Sequence, residues 1–296
     1  MLRLIAIISI LILTQCSSSG QGRFDAVVIK EYKLTDNIFM LEGAGGNVGI
    51  YINEDEVLMI DDQFAPLSDK LKAKIKELSG GKTTRLINTH WHGDHTGGNE
   101  NFGADGAMII AHENVRGRMS KEVVRGDRVT PPSPAIALPV VTYQEGMQLY
   151  IMDEPVMITH MHNAHTDGDS FVFFPESNVL HMGDCFFNKR FPFIDLNSGG
   201  SIDGIIKASE VALMLVDDDT QIIPGHGSMA SKSDLVEYHK CLTTLRGDVA
   251  DHIKNGGTLD SLDPVEITEG YEEWGTGFIN AEKIVQTIFN SLSSLE

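Results

Sequence analysis

INTHWHGDHTGGN, residues 87–99, is the stretch on which the reading of this chain turns. His90, His92, Asp94 and His95 fall within six positions, directly after the apolar Leu86 and Ile87. Imidazole and carboxylate groups are the usual zinc ligands. In an extended backbone alternate residues share a face, so His90 and His92 project to one side while Asp94 and His95 turn toward a second position. Gly93, Gly97 and Gly98 permit the tight path that such crowding needs. One histidine in a sequence is ordinary; three with an aspartate at this spacing point to a metal.

Working outward, three more stretches put a ligating side chain just after an apolar run and beside glycine or small residues. His165 lies in NAHTDGDSF, Asp184 in LHMGDCF and His226 in IIPGHGS. Loops at strand ends commonly carry function on a rigid scaffold. His160 and His162, on or just after the run PVMITHMH, are read as rim residues or supports of the ligands; His239 and His252 are read as ordinary helix residues.

Strand-sized apolar runs precede the histidine loop (AVVIKEY, NIFMLEG, VGIYIN, EVLMID), each bounded by polar or glycine-containing breaks. Residues 66–78 follow, with Leu67, Leu71, Ile75 and Leu78 at helical spacing. Beyond the loop come AMIIA as a strand, 112–124 as a helix, and the proline-rich 128–139 as a surface loop. A second set of strands (MQLYIM, PVMITHM, SFVFFP, NVLHMG, QIIPG) precedes or alternates with helices predicted over 202–216, 233–253 and 280–292. Periodicity alone gives a layered α/β (α+β) architecture.

In the order and spacing of these motifs the chain resembles the metallo-β-lactamase superfamily. The similarity rests on HxHxDH at His90–His95, then His165, Gly183-Asp184 and Gly225-His226, with VLMIDD upstream, and covers residues 25 to about 228. It implies an αββα sandwich. It implies two zinc ions, one on His90, His92 and His165, the other on Asp94, His95 and His226, with Asp184 bridging them. Asp61 would accept the outer N–H of a ligating histidine and fix its tautomer. The family also includes members with a cysteine ligand, and GDC offers Asp184 and Cys185 side by side. Adjacent strand residues point to opposite sides, and Asp94, His95 and His226 already supply the second metal, so Asp184 is assigned to the metals and Cys185 to packing or to support of the ligands.

The implied chemistry is hydrolysis of a small-molecule carbonyl compound (lactam, lactone, ester or thioester) by a water that the two metals activate and Asp94 orients, with Asp94 and Asp184 as catalytic residues. β-Lactamase-like activity fits this scheme. Lys189 and Asn197, downstream of Asp184, are candidates to bind an anionic group. Phe186, Phe187, Phe191 and Phe193 either wall a pocket or pack the core. Two alternatives stay open: a sulfur dioxygenase holding one iron on His90, His165 and Asp184, and a non-catalytic metal-containing surface lipoprotein.

The formal charge of −19, from 42 acidic and 23 basic residues, repels phosphate backbones and argues against nucleic-acid partners. Residues 4–13 form an apolar run too short to span a bilayer but suited to a signal-peptide core, and Cys16 follows almost at once. Residues 1–15 are therefore expected to be a signal peptide, 16–24 a flexible linker lipidated at Cys16, and 25–296 the hydrolase domain. This predicts export, to the periplasm or outer-membrane surface, with contact to a membrane through the lipid. Cys185 and Cys241 are too few for a disulfide framework, and Cys241 is read as a core residue.

Overall fold

A computed structural model describes residues 22–126 and 128–293. The expected signal peptide and lipidated cysteine lie outside the described residues. Among the described residues there are fourteen strands: β1 Lys30–Lys33, β2 Ile38–Glu42, β3 Val48–Ile52, β4 Val57–Ile60, β5 Thr83–Asn88, β6 Met108–His112, β7 Val123–Arg125, β8 Arg128–Thr130, β9 Val141–Tyr143, β10 Gly146–Ile151, β11 Glu154–His160, β12 Ser170–Phe174, β13 Val179–Phe187 and β14 Gln221–His226. The α-helices are α1 Gly22–Asp25, α2 Ser68–Ser79, α3 Gly93–Thr96, α4 Asn99–Ala104, α5 Glu113–Met119, α6 Ile202–Leu215, α7 Lys232–Lys254, α8 Pro264–Ile267 and α9 Ala281–Ser293.

The strands form a seven-stranded sheet in the order β1-β2-β3-β4-β5-β6-β9 and a five-stranded sheet in the order β10-β11-β12-β13-β14. Ile38, Met40, Leu58, Ile60, Ile87 and Ile110 of the first meet Val156, Ile158, Val172, Phe174, Val179 and Ile223 of the second in one apolar layer. Alternate residues of the same strands face the other way. Leu41, Met59 and Leu86 pack on Leu71 and Ile75 of α2, and Leu180, Met182 and Ile222 pack under α6, α7 and α9. Strands such as β4, apolar at every position and buried on both faces, are what a parallel pair covered by helices demands. Each fully buried aliphatic side chain contributes about 1.5–3 kcal/mol. The result is the αββα layering that the resemblance implies.

Three segments depart from the sequence expectation. The run AVVIKEY enters the sheet only at Lys30, because Lys70 Nζ on α2 donates to the carbonyls of Phe24, Asp25 and Val27 at 3.0, 2.7 and 2.6 Å and holds that stretch off the ladder. Gly22–Asp25 is a helical turn with Phe24 buried, so packed structure begins ahead of the boundary expected at residue 25. The helix predicted over 112–124 stops at Met119, and β7 and β8 then form an antiparallel ribbon with Val124 opposite Val129. The proline-rich stretch is a loop only after Thr130. Among the described residues no helix is long and apolar enough to cross a membrane.

Candidate metal centre

β5 delivers the histidine loop, the β11–β12 connection delivers His165, β13 carries Asp184, and β14 ends on His226. Donor atoms from both sheets thus converge at one end of the sandwich. His90, His92, His165 and Asp184 form one group and Asp94, His95 and His226 a second; within each, one donor atom per residue lies within 4.8 Å of the others. Asp184 stands between them. Its Oδ2 is 3.8 Å from His90 Nε2 and 3.4 Å from His165 Nε2, while its Oδ1 is 3.0 Å from His95 Nε2 and 3.4 Å from His226 Nε2. Asp94 Oδ2 is 3.3 Å from His226 Nε2 and 3.8 Å from His95 Nε2.

The surrounding backbone is shaped to permit this crowding. A Cβ on Gly46 would sit 2.1 Å from the His95 ring, and one on Gly225 would sit 2.1 Å from Asp184 Oδ1. Either side chain would displace a donor, so both positions require glycine. Asp61 is held at φ 60°, in the left-handed region, where its carboxylate takes His95 Nδ1–H at 2.7 Å, the Thr89 amide at 2.7 Å and the Thr89 hydroxyl at 2.7 Å. His165 Nδ1 donates to the Phe193 carbonyl at 2.6 Å. These outer bonds leave His95 and His165 with Nε2 turned inward.

The electrostatics fit a cation. Burial pushes the His90 imidazolium well below its ordinary range, with neighbouring imidazoles adding to the effect, and burial lowers His165 to about 4. Both are neutral rings with a lone pair to offer. Burial works against ionised Asp184, but His95 and His226 outweigh it and hold the carboxyl well below the usual range. Burial likewise opposes charge on His95, yet Asp184, Asp61 and Asp94 raise it. His90 Nε2 is buried with no hydrogen-bond partner, and His95 Nε2 and Asp184 Oδ1, though 3.0 Å apart, do not meet in hydrogen-bonding geometry. Buried polar atoms left unsatisfied are costly, and here three of them point into the same small space. Positive charge at that position removes the penalty, and the imidazole and carboxylate donor set suits zinc.

Other residues fall elsewhere. Cys185 is fully buried in the apolar layer beneath α6 and α7, with its thiol pushed up by burial, and belongs to neither donor group. His160 bonds the Asp169 carbonyl at 2.8 Å and stacks on His112 at 3.8 Å, outside both groups. His162 is exposed and reaches Glu145 at 3.2 Å. Lys189 and Asn197, the expected anion binders, are not among the residues lining the cavity over the centre. Lys189 turns to Glu237 and Asp234 on α7, and Asn197 is exposed on a turn. Of the four phenylalanines, Phe187, Phe191 and Phe193 line the cavity, whereas Phe186 packs against Tyr238 in the core.

Asp195 escaped the sequence reading. Its Oδ2 lies 2.9 Å from His92 Nε2, so His92 presents Nδ1 inward, 2.8 Å from His165 Nε2. The only sequence signal was a carboxylate closing the apolar FPFI run.

The cavity over the centre measures about 600 Å³, and Asp94, Asp184, His92 and His226 form its floor. Comparison with known proteins places this geometry. Residues 41–226 match the family model of the metallo-beta-lactamase superfamily. A hydroxyacylglutathione hydrolase from Polaromonas sp. is 30% identical over 177 residues, covering 58% of this chain and 57% of that protein. One from Nitrosococcus oceani is 28% identical over 176 residues, with the same coverage. The chain thus spans under two thirds of the length of these relatives. Among solved structures, a metallo-beta-lactamase from Pontibacter korlensis superposes with a TM-score of 0.59 at 16% identity, over 73% of this chain and 99% of that one. The stereoselective inverting sec-alkylsulfatase Pisa1 from Pseudomonas sp. gives 0.64 at 13%, over 88% and 50%. These two likenesses bear on the fold. With the family's span running from β2 through the last donor on β14, this chain belongs to the metallo-beta-lactamase superfamily.

Proposed function

We propose that the chain is a metal-dependent hydrolase acting on a carbonyl compound at a two-zinc centre, with His90, His92 and His165 holding one ion, Asp94, His95 and His226 the other, and Asp184 between them. The observation that carries this reading is the pair of inward-facing donor groups that converge on the two sides of Asp184. Zinc in such a place supplies Lewis acidity and makes water a competent nucleophile near neutral pH. The chain's own residues do the rest. Asp94 faces the cavity, and although burial raises its pKa, His95 and His226 bring it down to about 2, so it is ionised and placed to orient the attacking water. Asp61 and Asp195 fix the rings of His95 and His92, and the aromatic walls exclude bulk water.

A one-iron dioxygenase needs only His90, His165 and Asp184, and leaves the second donor group, Asp94, His95 and His226, without a role. That group favours the two-metal reading over the alternative. Likeness to hydroxyacylglutathione hydrolases puts thioesters first among the candidate substrates, with lactones and lactams next. Elemental analysis of protein purified without chelator should find two zinc per chain, and a panel of thioesters, lactones, lactams and phosphodiesters should show turnover among the carbonyl compounds. One iron with no zinc, or turnover of phosphodiesters alone, overturns the reading. The proposal includes export and a lipid at Cys16. Mass spectrometry of the mature N-terminus should find a lipidated Cys16, and an unmodified start elsewhere refutes that part.

A further inference from the structure

The cavity over the donor set is walled chiefly by aromatic side chains. Phe64, Trp91, Phe191, Phe193, Trp274 and Phe278 line it, with Phe191 against Trp274 at 6.3 Å and Phe193 against Phe278 at 6.1 Å. Trp274 and Phe278 lie beyond the span of the family match. Phe278 is 77% exposed, held at the rim by an edge contact to Phe193 at 6.1 Å and by Lys283 Nζ over its ring at 4.9 Å. An exposed aromatic ring continuous with an aromatic-walled cavity is apolar surface awaiting a ligand.

The charges point the same way. The chain carries 42 acidic residues against 23 basic. Yet apart from the donors Asp94 and Asp184, the charged side chains described on the cavity lining are Arg23 and Arg190, both cationic. Arg23 lies over the rings of Phe24 and Phe64 at 5.3 and 5.9 Å, and among the described residues Arg190 makes no ion pair. A cationic pair in the cavity of a strongly acidic protein selects for an anion. Lys189, one position earlier, is neutralised by α7 and leaves this role to Arg190.

We infer that the site takes an amphipathic anion: a carbonyl compound whose bulky apolar group, an aromatic ring or medium-length acyl chain, lies between Trp274, Phe278 and Phe193, and whose negative group is met by Arg190 and Arg23. A volume of about 600 Å³ is within the range that encloses a ligand of this size. The inference rests on the hydrolase reading for the carbonyl, and on the cavity alone for the apolar and anionic parts.

The two parts are separable by experiment. Trp91 and Trp274 are the two tryptophans of the sequence and both line the cavity, so intrinsic fluorescence reports on it alone. Titrating the zinc-loaded full chain with anilinonaphthalene sulfonate, an aromatic anion, should quench tryptophan emission saturably. Arg190→Gln and Phe278→Ala, both at exposed positions, should each weaken that binding roughly five- to tenfold. In parallel, kcat/KM for thioesters of one neutral thiol, from acetyl to hexanoyl, should rise about fourfold per added methylene. Absence of quenching, binding indifferent to both substitutions, or an acetyl thioester hydrolysed as well as hexanoyl overturns the inference. Saturable binding weakened in both variants, with no carbonyl compound turned over, supports the apolar and anionic parts of the inference and removes the hydrolase reading.

Discussion

Asp184→Asn is expected to lower turnover roughly a thousandfold and to reduce bound zinc below two per chain. The carboxylate is the one group whose two oxygens face both donor sets, Oδ2 toward His90 and His165 and Oδ1 toward His95 and His226. An amide keeps its shape but brings a donor N–H and no charge to one of those faces. Losing one preorganised electrostatic contact at a reacting centre costs about 2.7–4 kcal/mol, and at about 1.4 kcal/mol per decade the upper end of that range is roughly a thousandfold. Cys185→Ser is the matched control one residue away. Its side chain lies in the apolar layer beneath α6 and α7, so some stability is lost while zinc content and turnover per folded molecule are retained. Zinc analysis and steady-state kinetics on the two variants check the pair. Loss of the second zinc in Cys185→Ser, with Asp184→Asn intact, would reverse the assignment.

Stripping the metals is expected to lower the thermal midpoint by about 10 °C. The donors come from both sheets, with His90 to His95 after β5 and Asp184 and His226 on β13 and β14. Ions held there bind the folded arrangement and not the separated strands. A ligand at about a thousand times its Kd adds about 4 kcal/mol to folding, and a chain of this length gains about 2–4 °C per kcal/mol. Without metal, the buried carboxylates must be satisfied by protons on His95 and His226. Although burial resists it, Asp184 and Asp94 raise His226 to about 9, so protons replace only part of the lost stabilisation. Calorimetry before and after dialysis against chelator, then after zinc is restored, measures the shift. An unchanged midpoint would mean that no ion ties the two sheets together.

What the sequence disclosed, and what it hid, follows from range. The histidine loop is legible because its chemistry is contiguous and sits at the end of an apolar strand. Competition between Asp184 and Cys185 was resolvable because alternation along β13 must send neighbours to opposite faces, and it sends Cys185 into the core. Asp195 was illegible because His92, the residue it supports, lies 103 positions away. Lys189 misled through proximity: it follows β13 closely, but its left-handed backbone, φ 56°, turns the side chain to α7. The same limit applies to the fold. Periodicity gave the layers, whereas the late start of β1 depends on Lys70, which no local pattern connects to residues 24–27.

That lysine also gives the molecule a heading. By clasping three carbonyls, Lys70 fixes residues 24–27 against α2, and Arg23 beside that point lines the cavity. With Cys16 anchored as proposed, the stretch to Gly22 extends at most about 20 Å. On that proposal so short a leash would keep the opening near the bilayer. Amphipathic anions partition to such surfaces, and the enzyme would meet them there at a local concentration well above that in bulk solution.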